Sequence, residues 1–390
     1  MKTLKIGVIG CGAIAQVQHM PNLIDLRDLF DVKIVCDLSP GAAEYVAAKF
    51  NVPQFSTNYY EVLDSDVDAI LHCAGGYRPT AVVAAFEAGK HVFAEKPLCS
   101  SLEEMDRIIT AQKKAGTVGQ VGYMKVYDPA FVQAKREVDT MDNIQFVQVN
   151  HLHPNNDLHM RQFDVRRFDD MIQNSPTQQT ESADIEIYNG SSRQAIGDVE
   201  PHVQGAFGLL SGSMIHDIYG MRVMLGMPKR VVSTEIWRHG RAITFTLEYP
   251  AGYRLVASWV DLPDLWDFKE TLEIYGDDKR VILSYPTGFS RGIPSKLTIQ
   301  GIDQTGTSYA SEPVIDWHSA FMQELRHFHD CIANEVQCRT SLESARDDIA
   351  LIIDIIKCYC YNQPATDHIT LNLLKDDCNK SVVSVTGSPP

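Results

Sequence analysis

Residues 1–120 alternate short apolar runs with amphipathic segments. LKIGVIG (4–10) predicts a strand, and Ala13 to Leu29 a following helix, irregular near Pro21. DVKIVCD (31–37) predicts a second strand and Gly41 to Phe50 a helix, with a short strand near Gln54–Phe55. AILHCAG (69–75), HVFAE (91–95) and VGQVGY (118–123) predict further strands, separated by helices over Thr80–Ala88 and Leu102–Ala115. Apolar runs of this length, joined by helices through short connections, imply a parallel sheet covered on both faces.

The pattern changes after Asp128-Pro129. Pro129 to Val138 reads as a helix, and IQFVQVNHL (144–152) alternates as a half-exposed strand does. Residues 153–204 are polar and carry no sustained period, which predicts a long functional loop region or disorder. Residues 205–226 return to a compact apolar helix. Alternating strands follow at 230–237, 242–249, 253–260, 270–275, 279–284 and 296–301, then helices at 317–334 and 341–362. The expected organisation is an α/β protein: an N-terminal dinucleotide-type domain (1–124), and an α/β domain (125–374) with a large open mixed or antiparallel sheet. A frayed tail (375–390) would complete it.

Composition narrows the partners. A net charge of −15 over 390 residues argues against a nucleic-acid binder and against an anionic membrane surface. No stretch approaches the roughly 18 apolar residues of a membrane span, and the N-terminal run reads as a strand rather than a signal peptide. The nine cysteines are scattered, and Cys358-Tyr-Cys360 is not zinc-like, so reduced thiols in the cytoplasm are expected.

The first strand runs into Gly10-Cys11-Gly12-Ala13-Ile14-Ala15, a G-x-G-x-x-A turn opening a helix. Gly10 allows the tight turn, Gly12 lets a pyrophosphate approach the backbone, and Ala15 keeps helix and strand close. Asp37, at the end of the second strand, suits two ribose hydroxyls and repels a 2′-phosphate; with no arginine beside it, NAD is favoured over NADP. A helix cap is the alternative role for Asp37. In such sheets ligands bind beyond the carboxyl ends of the strands. Glu95-Lys96-Pro97 follows a later strand on that same rim, so Lys96 points toward the nicotinamide end unless it is simply solvated.

GCGAIA together with EAGKHVFAEKP (87–97) resembles the Gfo/Idh/MocA family, the glucose–fructose oxidoreductase and inositol dehydrogenase type of NAD(P)-dependent enzyme. The resemblance covers residues 1–150 well and the rest more loosely. It implies a Rossmann domain with an oligomerising sheet domain, a homodimer or homotetramer, and Lys96 positioning substrate and cofactor. VGYMKVYDPAF (121–131) resembles the family's G-Y-x-[KR]-x-x-x-P segment, which makes Lys125 a substrate contact. GLLSGSMIHDIYGMRVMLG (208–226) places His216 on the family's acid/base histidine, with a packed helix histidine as the alternative. Gly212 and Tyr219 replace the carboxylates that flank it in the family, and Asp217 would point about 100° away on a helix. Cys73, Ala74 and Gly75 stand where the family lines the nicotinamide, with Arg78 at a usual histidine position.

His151, His153 and Arg161 in the polar segment suit a wall that binds a ligand rich in hydroxyls, or else a solvated loop. Their spacing matches no metal pattern, so no metal is expected. The expected function is hydride transfer between NAD and a secondary alcohol or ketone of a sugar, glycoside or cyclitol. His216 would be the acid/base, Lys96 would hold the substrate oxygen, and Glu95 would orient Lys96. Redox-neutral glycoside cleavage with NAD recycled, and a non-enzymatic NAD-binding regulator, are the alternatives.

Overall fold

The structure is a computed structural model that describes residues 2–171, 186 and 189–362. The expected tail from Lys375 lies outside the described residues, as does part of the 153–204 segment.

The first strands β1 (Leu4–Ile9), β2 (Phe30–Cys36), β3 (Gln54–Ser56), β4 (Ala69–His72), β5 (His91–Glu95) and β6 (Gly119–Gly122) form a six-stranded sheet in the order β3-β2-β1-β4-β5-β6. Every pairing in it is parallel. The order reverses beside β1, and a crevice opens there at the carboxyl ends of β1 and β4. β4 is buried along its whole length and β1 nearly so, the consequence of helices on both faces. Helix Leu102–Ala115 starts on a capping box, Ser101 with Glu104, and stops at Gly116 in the left-handed region.

The second sheet has eight strands: β7 (Ile144–His153), β8 (Arg230–Trp237), β9 (Ala242–Glu248), β10 (Arg254–Asp261), β11 (Lys269–Gly276), β12 (Lys279–Tyr285), β13 (Lys296–Ile302) and β14 (Ser308–Ser311). Their order is β14-β13-β12-β11-β7-β10-β9-β8. It is mixed: β7 lies parallel to β10 and antiparallel to β11. Along β7, Val147, Val149 and His151 are buried while Gln148 and Asn150 face outward, as a period of two requires. The outward face is polar and knitted together. Asn150 donates to Thr271 at 3.1 Å, and Thr244 meets Ser258 at 3.0 Å.

Helices Pro201–Leu209 and Ile215–Leu225 flank a π-helical stretch, Leu210–Met214, where the sequence pattern predicts one compact helix. Phe207, Ile218 and Tyr219 face the main core. Two of the features outside the expected elements lie at the sheet edge and after β7. β14 is exposed throughout, and Asn156–Met160 forms a short helix with no buried residue.

Two of the chain's crossings between the sheets lie at neighbouring points. The first crossing follows β6. At the second, Val121 N–H donates to the Thr340 carbonyl at 3.0 Å, and the Thr340 hydroxyl contacts Tyr127 at 2.9 Å. Helix Ala320–Ala333, late in the chain, packs back on the first sheet. Its Phe328 meets Phe93 edge-on at 5.8 Å, and His329 donates to the Lys2 carbonyl at 2.8 Å.

Candidate active site

Two cavities lie along the rim of the parallel sheet. One, of about 350 Å³, is lined by Gly10, Gly12, Asp37, Cys73, Gly75 and Met171, among others. The other, also about 350 Å³, includes Gly12, Ala13, Gly75, Lys96, His216 and Phe289 in its wall. They share Gly12, Cys73 and Gly75, so together they form one trough across the switch point.

The glycine turn is built as its sequence predicts. Gly10 has φ +98°, and a Cβ there would lie 2.2 Å from the Ala74 nitrogen. Only glycine lets the turn pass so near the end of β4. Gly12 is the opposite case: a Cβ there would meet nothing within 4 Å, so the space above it is open. Ala15 is fully buried. Cys11 turns its thiol inward to the Cys36 carbonyl at 3.7 Å and offers the trough only backbone. Asp37 accepts from the Cys11 N–H at 2.7 Å and from the Ser39 N–H at 3.0 Å. Each oxygen retains a lone pair for a ribose hydroxyl. Open glycine backbone, a helix start and a carboxylate fit a dinucleotide's pyrophosphate and ribose.

At the other end, β5 delivers Glu95, Lys96 and Pro97. The Lys96–Pro97 peptide is cis, and Arg78 donates to the Pro97 carbonyl at 2.7 Å, tying the loops after β4 and β5 together. Glu95 does not hold the Lys96 ammonium, contrary to expectation. It is buried and turns inward to His19, 2.8 Å away. Burial pushes its carboxyl up, but His19, Lys96 and Arg78 outweigh this and hold it below its usual value. The Lys96 ammonium donates instead to the Gly212 carbonyl at 2.8 Å. Burial, against the pull of Glu95 and aided by Arg78, pushes Lys96 down to about 8.

His216 stands on the same cavity wall. Its Nδ1 lies 2.9 Å from the Tyr219 hydroxyl, which also accepts the Lys125 backbone N–H at 3.1 Å. Burial first, then the Lys96 and Lys125 ammonium groups, hold the imidazole well below its usual value. Tyr219, which stands where the resemblance implies a carboxylate, thus has its hydroxyl on His216. It lies three residues beyond His216, on the same helical face, and that spacing was the available signal.

Asp217 serves another histidine. Its carboxylate is 2.7 Å from His151 Nδ1 and 3.8 Å from the Lys125 ammonium. Glu270, on β11, contacts Lys125 and lies 3.3 Å from His151. His151, Asp217 and Glu270 place ligand-type atoms within 4.8 Å of one another, and the Lys125 ammonium supplies the positive charge among them. Lys125 is pushed down to about 8 by burial and Lys96, against Asp217.

The three residues expected to form a hydroxyl-binding wall have different surroundings. The alternation of β7 sends His151 inward to Asp217, and His153 stacks on Trp259 at 5.7 Å. Arg161 is exposed beyond the strand. None of the three lines the cavities described here. A further cavity of about 270 Å³ shares Met124, Gly288 and Phe321 with the Lys96 cavity; Lys125, Tyr285, Arg291 and Trp317 help line it. Its position follows from tertiary packing of the 286–295 loop, which no local motif marks. Among the described residues, no helix is long and apolar enough to cross a membrane.

Comparison with known proteins agrees with this geometry. The family model described as "Oxidoreductase family, NAD-binding Rossmann fold", of the Gfo/Idh/MocA group, matches residues 4–123. Inositol 2-dehydrogenase of Salmonella typhimurium is 34% identical over 157 residues, covering 39% of this chain and 46% of that enzyme. The NAD(+) scyllo-inositol 2-dehydrogenase of Bacillus subtilis is 35% identical over 144 residues, 35% of this chain and 40% of that one. The chain thus matches less than half the length of these relatives. Among solved structures, a 3-ketoreductase from Actinomadura kijaniata in complex with NADP superposes with a TM-score of 0.69 at 17% identity, covering 92% of this chain and 98% of that one. An oxidoreductase from Thermotoga maritima gives 0.66 at 19% identity, over 92% and 97%. At these identities the structural likeness carries the fold.

Proposed function

We propose that this chain, whose residues 4–123 are a Gfo/Idh/MocA NAD-binding domain, is a dehydrogenase or ketoreductase acting on a secondary alcohol or ketone of a sugar or cyclitol. The observation that carries the reading is the shared wall of one trough. Gly12 stands where the pyrophosphate would lie, and Lys96 and His216 stand where the reacting carbon would be presented. The inositol dehydrogenases among the relatives support a cyclitol or sugar as substrate.

When bound, the nicotinamide cofactor supplies the hydride acceptor or donor. Gly10, Gly12 and Ala13 would receive its phosphates, Asp37 its ribose, and the Cys73–Gly75 backbone its nicotinamide half. Lys96 and His216 then act on the substrate oxygen. In this reading the Tyr219 hydroxyl gives its one proton to His216 Nδ1, 2.9 Å away, a stronger acceptor than the Met124 sulfur at 3.5 Å. That leaves the His216 proton on Nε2, a donor to the substrate oxygen. Burial, and then two ammonium groups, disfavour imidazolium, so His216 is a poor base. Lys96, pushed to about 8, is better matched to exchange the proton near neutral pH. The acid/base role expected for His216 thus passes to Lys96, with His216 as hydrogen-bond donor. The cavity beyond Met124 would hold the remaining hydroxyls.

The test is nicotinamide absorbance. Purified protein is mixed with NAD and a panel of inositols, sugars and glycosides, and separately with NADH and keto-sugars. Turnover lost in Lys96→Met with cofactor binding retained is the expected result. Cofactor binding with no turnover of any member would sink the reading.

A further inference from the structure

Beyond the short helix at Asn156–Met160, the chain leaves the second sheet and lies across the first domain. Its hold there is specific. Gln16, buried just after the glycine turn, donates to the Arg166 carbonyl at 2.9 Å and accepts the Arg166 N–H at 3.0 Å. The same amide donates to the Cys11 carbonyl at 2.8 Å, so the segment is tied to the turn itself. Further along, Tyr45 donates to Asp164 at 3.0 Å, and the Lys49 ammonium to the Asp164 carbonyl at 2.9 Å. Phe168 packs beside the Tyr45 ring, 5.9 Å between centroids.

Asp170 ends on the start of helix Pro40–Phe50. One carboxylate oxygen takes the Ser39 hydroxyl, and the other accepts the Gly41 N–H at 2.9 Å. The fit is close: a Cβ on Gly41 would lie 2.6 Å from Asp170 Oδ2 and 2.7 Å from the Phe168 ring. The next residue, Met171, joins Asp37 in lining the adenosine end of the trough. Ser39 is two residues beyond Asp37 and gives it a backbone hydrogen bond. A 2′-phosphate on a ribose held by Asp37 would look to these same neighbours, a hydroxyl and a free N–H at a helix start. A carboxylate from the other half of the molecule already holds both.

We propose that Asp170 is a cofactor-specificity residue delivered by the 161–171 strap, which fills the 2′-phosphate position with a second negative charge and so selects NAD over NADP. Asp37 alone is the expected discriminator; here two carboxylates from separate domains bracket the ribose edge. The inference rests on the dinucleotide reading above.

Calorimetric titration of the full chain with NAD and with NADP tests it, on wild type, Asp170→Asn and Asp170→Ala. Asparagine removes the charge; its oxygen can still accept the Gly41 N–H, while its NH2 group donates to the Ser39 oxygen instead of accepting the Ser39 proton. Wild type is expected to bind NAD at least about 100-fold more tightly than NADP, like charges in contact costing several kcal/mol. Both variants should narrow that ratio about tenfold, mainly through tighter NADP binding, with NAD changed less than about threefold. A ratio unmoved in both variants, or a wild type that binds the two cofactors equally, overturns the proposal. Wild type binding neither dinucleotide would be a different result: it removes the cofactor reading itself, and this proposal with it.

Discussion

The Tyr219 hydroxyl lies 2.9 Å from Nδ1 of His216 and 3.1 Å from the Lys125 backbone nitrogen. One buried phenol therefore partners the histidine's Nδ1 and satisfies a main-chain donor. In Tyr219→Phe the ring still stacks on Tyr123, but Lys125 N–H loses its acceptor, at a cost of about 1–3 kcal/mol. Turnover should fall about 10- to 100-fold with cofactor affinity unchanged, because orientation of the substrate oxygen is lost and the dinucleotide trough is not. Steady-state kinetics and cofactor titration on the same preparation separate the two.

The pH profile should follow Lys96. Its ammonium, pushed down to about 8, gives up a proton near that pH. Alcohol oxidation needs the amine, so its rate should rise through pH 8; ketone reduction needs the ammonium and should fall there. Lys96→Arg keeps the charge but cannot lose the proton. Its residual activity should show no limb near pH 8. A wild-type limb on the acid side of the usual histidine range instead, with none near pH 8, would return the proton to His216.

Lys125 sits between two buried carboxylates, Asp217 and Glu270. Removing the ammonium in Lys125→Met leaves them facing each other. The expected loss is about 3–5 kcal/mol at pH 7 by urea unfolding, the range for breaking a buried charge pair. One carboxylate would then take up a proton, so the loss should shrink as pH falls toward 5. A pH-independent loss would point to packing over the Tyr285 ring, 4.4 Å from the ammonium, rather than to charge.

Glu324 is fully buried beside Glu95, and neither of its carboxylate oxygens has a hydrogen-bond partner among the described residues. Burial, and then Glu95, raise its carboxyl well above the usual value. A folded-state acid held above its unfolded value loses stability as pH rises past about 4.5. Glu324→Gln should therefore melt higher than wild type at pH 8, with the gap closing below about pH 4.5. Melting curves across that range decide it; a lower melting temperature at pH 8 would mean that the carboxylate is used.

The parallel sheet was legible because its strands are apolar on both faces and its glycine turn opens the chain. β5 and helix Leu102–Ala115 fall where the pattern places them, bounded by Glu95 and by the Ser101 and Gly116 caps. β14 was not legible: it is a short edge strand, exposed at every residue, and alternation carries no signal without a buried face. The polar 153–171 stretch looked like loop because its order comes from partners far away, Gln16 and Tyr45. In the site, Lys96 and His216 came from motifs. The environment of His216 did not, since a local pattern registers Tyr219 only as a missing carboxylate. Nor could spacing reveal Asp217 with His151 and Glu270, which meet across three separate elements.

The two neighbouring crossings between the sheets have a mechanical consequence. Two bodies joined by one strand of chain can twist freely about it. Here Val121 is bonded to Thr340, and Tyr127 to the same threonine, so the outgoing and returning chains are pinned side by side. A further tie spans the trough itself: Gln18, on the helix that the glycine turn opens, donates to the Gly288 and Ser290 carbonyls, each at 3.0 Å. The glycine turn and the 286–295 loop are thereby braced against each other, so cofactor and substrate would meet a trough whose two walls are already tied together.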